Sequence, residues 1–328
     1  MTGNARNLIF ALSIFLLCGT SMRYIHASFN TTQDSTTIEN NDVYIDILER
    51  LWGEKESPQI MDLVFLGCAV LMGLELLNHM VAHSGYWIKT RLIPVRGKHL
   101  DDLRPIDKLF ITINKAATAP FIYFLFRYLH NEPNVDWSIQ NLTVNVFLTK
   151  AVLPLVPIFI IYDFFYTILH WFLHIKQIYG YIHKHHHIQK APSRANVDAV
   201  NVHPIEFFLG EYNHILGIYI YCTIFGMKFH VLGAVLFLII GGCCAGLNHT
   251  RFDTVFRIMG ITLFDSKYHD VHHRIPRSNY GQYIVLWDHV FGTFRDYDEN
   301  DRVNPRAQLD MTTGKSLEYA EKTTAKKL

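Results

Sequence analysis

The 328-residue chain carries nineteen histidines, and eight of them fall in three tracts with the spacing of metal ligands. His170 and His174 stand four apart in HWFLH. His183, His186 and His187 form HxxHH within YIHKHHHIQK, and His269, His272 and His273 repeat that spacing in HDVHH. Residues three and four apart share one side of a helix, so each tract presents its rings together while His185 points away. A neutral imidazole nitrogen is the commonest biological metal ligand. Eight such donors exceed the need of one ion and suit two. Imidazole serves iron, zinc, copper and nickel alike, so the donors alone do not name the metal. Single histidines elsewhere (His26, His79, His83, His99, His130, His230) read as solvated or core-satisfied side chains.

Bringing the tracts together is the work of the rest of the chain. Half of the residues are hydrophobic and 18% are charged, and the apolar ones are gathered in blocks. These run from Met61 to Met80, Leu109 to Leu129, Val144 to Leu169, Ile205 to Phe225 and Phe229 to Leu247. A bilayer needs about 20 residues of helix, so at least the first three read as spans and a soluble domain is excluded. The fourth and fifth are short, and Glu206, Glu211 and His214 make the fourth polar at its start. The pair crosses twice or dips into the membrane, and either way a hairpin returns the chain to the face it left. The amino end, RNLIFALSIFLLCGTSM, has the pattern of a signal peptide or a short signal anchor.

Loop charge sets orientation. Residues 84–108 carry Lys89, Arg91, Arg96, Lys98, Arg104 and Lys108 and read as cytosolic. The acidic segment before the first block, with a sequon at Asn30, and the loop after the second, with a sequon at Asn141, then read as lumenal. By this count all three histidine tracts stand on the cytosolic side, and the sequon at Asn248 stays unglycosylated. Five cysteines, all in apolar segments, form no CxxC pair and no disulfide framework. A net charge of +1 gives no reason to expect nucleic acid. The last thirty residues read as a solvated polar tail. The resulting fold class is all-α: a polytopic membrane helical bundle with a histidine-rich di-metal site on its cytosolic face. Its divisions are 1–59 (signal segment and lumenal stretch), 60–143 (spans and basic loop), 144–296 (catalytic domain) and 297–328 (tail).

The order HxxxH, HxxHH, HxxHH, with a membrane hairpin between the second and third, resembles the fatty acid hydroxylase and sterol desaturase superfamily of membrane di-iron oxygenases. The likeness covers roughly Asp163 to Phe294. It includes Asp163 seven residues before the first tract, HPIE from His203 to Glu206, and the closing NYGQYIVLWDHVFGT. It implies two non-haem irons, dioxygen as oxidant and a lipid substrate, with the eight tract histidines as ligands. It also implies His249 as a ninth ligand, and for His203 either a ligand role or an outer or structural one. Trp171 stands where the family usually has arginine, and His289 where a basic residue is common; both put transfer of substrate preference in doubt. All-nitrogen donor sets need outer partners, and Asp163, Asp265 and Asp270 are the candidates. For Asp163 the alternative is a helix-packing hydrogen bond. Asn279 and Tyr280 line the pocket or form a turn.

Neither a GxGxxG fingerprint nor an HPGG haem motif is present. Electrons are therefore expected from a separate membrane donor, cytochrome b5 with its NAD(P)H reductase. The leading reading is oxidation of a sterol or sterol precursor at the endoplasmic reticulum membrane, by hydroxylation, desaturation or epoxidation. Squalene epoxidation and fatty acyl hydroxylation stand beside it. From a different class, a metal transporter needs ligands at mid-membrane, whereas these lie at span ends and outside the spans.

Overall fold

The computed structural model describes residues 60–138, 142–309, 315–319 and 322. The amino-terminal apolar segment, His26 and the sequons at Asn30 and Asn141 lie outside the described residues. Helix α1 (Ile60–Trp87) holds the first apolar block and α2 (Pro105–Asn131) the second. Pro105 sits at the start of α2, where its missing N–H costs nothing, and Asp107 accepts from Arg104 N at 2.7 Å to close that end. The third block forms α3 (Val144–Leu173). Its first turns are widened over Phe147–Val152, with Leu153 N donating to Leu148 O at 2.9 Å. Pro154 follows and has no N–H for the regular ladder, which is the local cause of the wide turn.

Beyond α3 come the single turn α4 (Lys176–Tyr179), a 3-10 helix at His183–Ile188 and α5 (Asn196–Ala199). Helix α6 (Pro204–Tyr219), extended by a wide turn at Ile220–Ile224, and α7 (Val231–Asn248) make the predicted hairpin. His203 and His230 each cap one of these helices, accepting from Ile205 N at 3.3 Å and Leu232 N at 3.1 Å. The turn between α6 and α7 reaches the far end of the bundle. There β2 (Phe229–His230) pairs in parallel with β1 (Val135–Asp136) of the α2–α3 loop. The hairpin therefore runs the same length as the helices it packs against. An antiparallel hairpin, β3 (Val255–Ile258) and β4 (Ile261–Asp265), leads into α8 (Ser266–Arg274), and α9 (Leu286–Phe291) closes the domain.

Among the described residues three helices, α2, α3 and α7, are long and apolar enough to cross a membrane. Leu125, Leu129, Ile158, Ile161, Ile218 and Phe237 fill the core between helices. The outer faces leave Leu109, Phe124, Val156, Ile168, Ile239 and Ile240 exposed. Contiguous apolar exposure of this kind suits lipid and not water. The molecule is an all-α membrane bundle. The described cysteines are all free.

The tail differs from the sequence expectation. Its described part docks on the basic loop: Asn304 N and Gln308 Nε2 donate to Val95 O at 3.0 and 2.9 Å, and Ser316 Oγ donates to Asp101 at 2.7 Å. Ala307 packs with Val95 and Ala191. Polar composition hides this, because the contacts satisfy buried backbone groups and bury few apolar side chains.

Candidate metal centre

Nine imidazoles collect at one end of the bundle in two adjoining groups. His170, His174, His183, His187 and His272 form one, and His186, His249, His269 and His273 the other; within each, one nitrogen per ring lies within 4.8 Å of all the rest. The end of α3 supplies His170 and His174, the 3-10 helix His183, His186 and His187, the end of α7 His249, and α8 the remaining three. The groups touch, with the rings of His187 and His273 centred 5.0 Å apart. The α6–α7 hairpin is what returns His249 to His186, Nε2 to Nε2 at 3.2 Å.

The sequence expectation that each HxxHH tract faces one way is corrected. In every tract the residues four apart enter the same group, and in the two HxxHH tracts the histidine three residues on enters the other. His183 and His187 join the five while His186 joins the four; His269 and His273 join the four while His272 joins the five. On α8 the third-place ring stands about 100° around the helix from its neighbour at the fourth. In the second tract a 3-10 helix of about three residues per turn spreads the rings as well. His185 enters neither group; its Nε2 lies 2.9 Å from Asn201 Oδ1 and 3.1 Å from Asp107 Oδ1.

Whether these rings fit a cation is decided by their outward nitrogens. His170 Nδ1 donates to Tyr280 O at 2.8 Å, His249 Nδ1 to Ala245 O at 2.7 Å, His272 Nδ1 to Ser278 O at 2.7 Å and His273 Nδ1 to Gln189 O at 2.9 Å. His183 Nδ1 donates to Glu206 Oε1 at 2.7 Å, and His186 Nδ1 faces Asn201 O at 3.4 Å. A carbonyl only accepts, so the proton is outside and the inward Nε2 carries a bare lone pair. His186 and His249 then oppose two lone pairs at 3.2 Å, and the His170 lone pair lies 3.0 Å from His183 Nε2. Opposed lone pairs repel unless a cation lies among them. Nε2 of His174 and of His272 is buried with no protein partner. Burial also pushes His183, His186, His187, His269, His272 and His273 well below the usual imidazole range, which keeps them neutral. The nine residues fit two cations.

The proposed outer partners sit elsewhere. Asp163 accepts from the backbone N–H groups of Gln282, Tyr283 and Ile284, the last at 2.6 Å. It thus fixes the loop whose Tyr280 carbonyl holds His170. Asp265 caps α8 by accepting from Lys267 N at 2.9 Å, and Asp270 pairs with Arg251 at 2.6 Å and Arg274 at 3.1 Å. Asn279 takes the turn role, with φ of 53° and bonds to Tyr268 O and Arg295 O. These four act on the segments that carry the rings, and not on the rings. Sequence reasoning named Glu206 as an acid inside an otherwise apolar block but gave it no role at the rings. It missed Asp288, which accepts from Tyr280 N and Gly281 N at 2.7 and 2.8 Å.

Beside the five-ring group lies a cavity of about 180 Å³, lined in part by Phe121, Tyr162, His170, Glu206, His214 and Tyr283. Glu206 Oε2 is buried and without a protein partner. His170 belongs to both the cavity wall and the ring group, so a molecule in the cavity lies against the centre.

Residues 155–293 match the family model described as Fatty acid hydroxylase. The matched stretch holds all three histidine tracts in the order read from the sequence. Among curated proteins the chain is similar to human lathosterol oxidase, at 30% identity over 53% of this chain and 56% of the relative. It is also similar to Delta(7)-sterol-C5(6)-desaturase of Nicotiana tabacum, at 33% over 40% and 46%, and to methylsterol monooxygenase 1 of Gallus gallus, at 29% over 46% and 49%. The match spans about half the length of these relatives. No solved structure matches the chain.

Proposed function

We propose that this chain is a membrane-bound non-haem di-iron oxygenase that oxidises a sterol or sterol precursor, with residues 144–296 as the catalytic domain. The observation that carries the proposal is the double group of inward-facing imidazoles, with a largely apolar-lined cavity beside the five-ring group, in a membrane bundle. All three relatives named above bear the names of sterol-oxidising enzymes, which favours a sterol over squalene or a fatty acyl chain.

The five-ring and four-ring groups would each hold one iron. Reduced iron, when bound, supplies the activation of dioxygen that attack on an unactivated C–H bond requires. The protein's part is positional. Main-chain carbonyls and Glu206 hold the donor rings in the tautomer that ligates. Phe121 and Tyr162 shield the cavity from water, and His170 brings the bound lipid against the centre.

The basic loop supports a cytosolic placement of the centre at the endoplasmic reticulum, since Lys98 O accepts from Lys190 N beside the second tract. Cytochrome b5 and its reductase are the proposed electron source. Iron per chain and sterol-dependent oxygen uptake with that donor pair test the reading. Expression in yeast strains blocked at single oxidative sterol steps, with mass spectrometry, then identifies the product. An active preparation free of metal would overturn it.

A further inference from the structure

The β3–β4 hairpin carries none of the nine rings, and its surface is unusual for a loop facing water. Phe256, Ile258, Met259, Ile261 and Leu263 are all exposed, Met259 by 96%. Met259 also sits at the turn with φ of 50°, followed by Gly260 at 81°, a place where polar residues usually stand. An apolar tip of this size marks a contact surface.

What covers it follows from where it is rooted. Ser266 N donates to Thr254 O at 3.1 Å and Ser266 Oγ to Phe252 O at 2.7 Å, which pins the base. Phe252 packs edge-on against Tyr86 at 5.0 Å, near the end of α1, where Trp87 and Ile88 are themselves exposed. Leu263 and Phe264 lie over the end of α7, sharing a pocket with Asn248. The hairpin is therefore rooted beside the exposed apolar end of α1 and the end of α7, and its apolar tip projects from there. Charge is confined to the base, in the Asp253–Lys267 pair at 3.2 Å, and to Arg257, whose Nε donates to Thr262 Oγ1 at 3.3 Å. An arginine among apolar neighbours suits the headgroup layer, where its stem lies in lipid and its head in water.

We propose that the tip of this hairpin, Phe256 to Leu263, inserts into the interfacial layer of the bilayer as an attachment separate from the spans. A two-stranded ribbon has open edges whose backbone groups need water. It therefore enters the headgroup region and does not cross the hydrocarbon. Because β4 continues directly into α8, the attachment also fixes the depth of His269, His272 and His273 relative to the lipid.

The full-length protein with Met259→Cys, reconstituted in phospholipid vesicles without any other protein, carries an environment-sensitive fluorophore at that site; identically treated wild type serves as the blank. The emission is expected to shift to the blue on reconstitution and to be quenched by spin-labelled lipid, with little quenching by iodide. The same label at Ile261→Cys must agree, which guards against a local effect of one substitution. Quenching by iodide alone would place the tip in water and overturn the proposal. Shielding from both quenchers would point to a second copy of the chain and overturn it equally.

Discussion

At the scale of single residues, the centre depends on a rule of spacing: histidines four apart share a group and the third-place histidine crosses to the other. His186 and His272 are the crossing residues. Replacing either with alanine is expected to abolish turnover and to remove roughly one iron per chain while membrane insertion persists, because the depleted group loses a direct ligand. Elemental analysis beside an activity assay checks this; wild-type turnover in either variant would sink the ligand assignment. Glu206→Ala is expected to weaken metal retention by about 10- to 100-fold, as loss of an outer partner does, read by competition with a chelator. That the tract histidines gather was legible in the sequence because imidazole tracts are rare and their spacing is regular. Their partition was not, since the second tract is a 3-10 helix and nothing in HKHHH announces that. Most outer partners were invisible for a simpler reason: they are carbonyls, and every residue has one.

At the scale of elements, a buried carboxylate fixes the closing loop. Asp163 on α3 holds three consecutive N–H groups of residues 282–284. Asp163→Ala leaves those donors buried without an acceptor, which is expected to cost about 3 kcal/mol. Denaturation of the purified variant in detergent measures the loss, and a change within 0.5 kcal/mol would contradict the assigned role. The second and third apolar blocks were legible as the span helices α2 and α3, whereas the first, also read as a span, forms α1 and is not among the three candidate spans of the described residues. The length of the α6–α7 hairpin was not, because its polar start reads as a dip. The β1–β2 pairing that settles it joins residues about ninety apart. The docked tail escaped notice because its contacts are made through backbone and amide groups at Val95, Asn304 and Gln308.

For the whole molecule, the proposed orientation rests on the loop charges, and the third sequon is buried besides. Asn248 is 4% exposed, and its Nδ2 donates to Gln282 O at 2.8 Å. Expressed in a glycosylating membrane, the chain is expected to carry glycan at Asn141 and none at Asn248. Gel mobility before and after glycosidase treatment, with each asparagine replaced by glutamine in turn, reads the result. Glycan on Asn248 would require both a refolded end of α7 and the opposite orientation.

The way the imidazoles are tethered bears on how such a protein changes over time. Tyr280, Ser278, Gln189, Ala245 and Asn201 hold their histidines through main-chain oxygens. Any side chain that preserves the local backbone preserves the aim of the ring. Mutation is thus free to reshape the neighbouring cavity without disturbing the donors. This suits a scaffold whose relatives, at about 30% identity, carry the names of an oxidase, a desaturase and a monooxygenase.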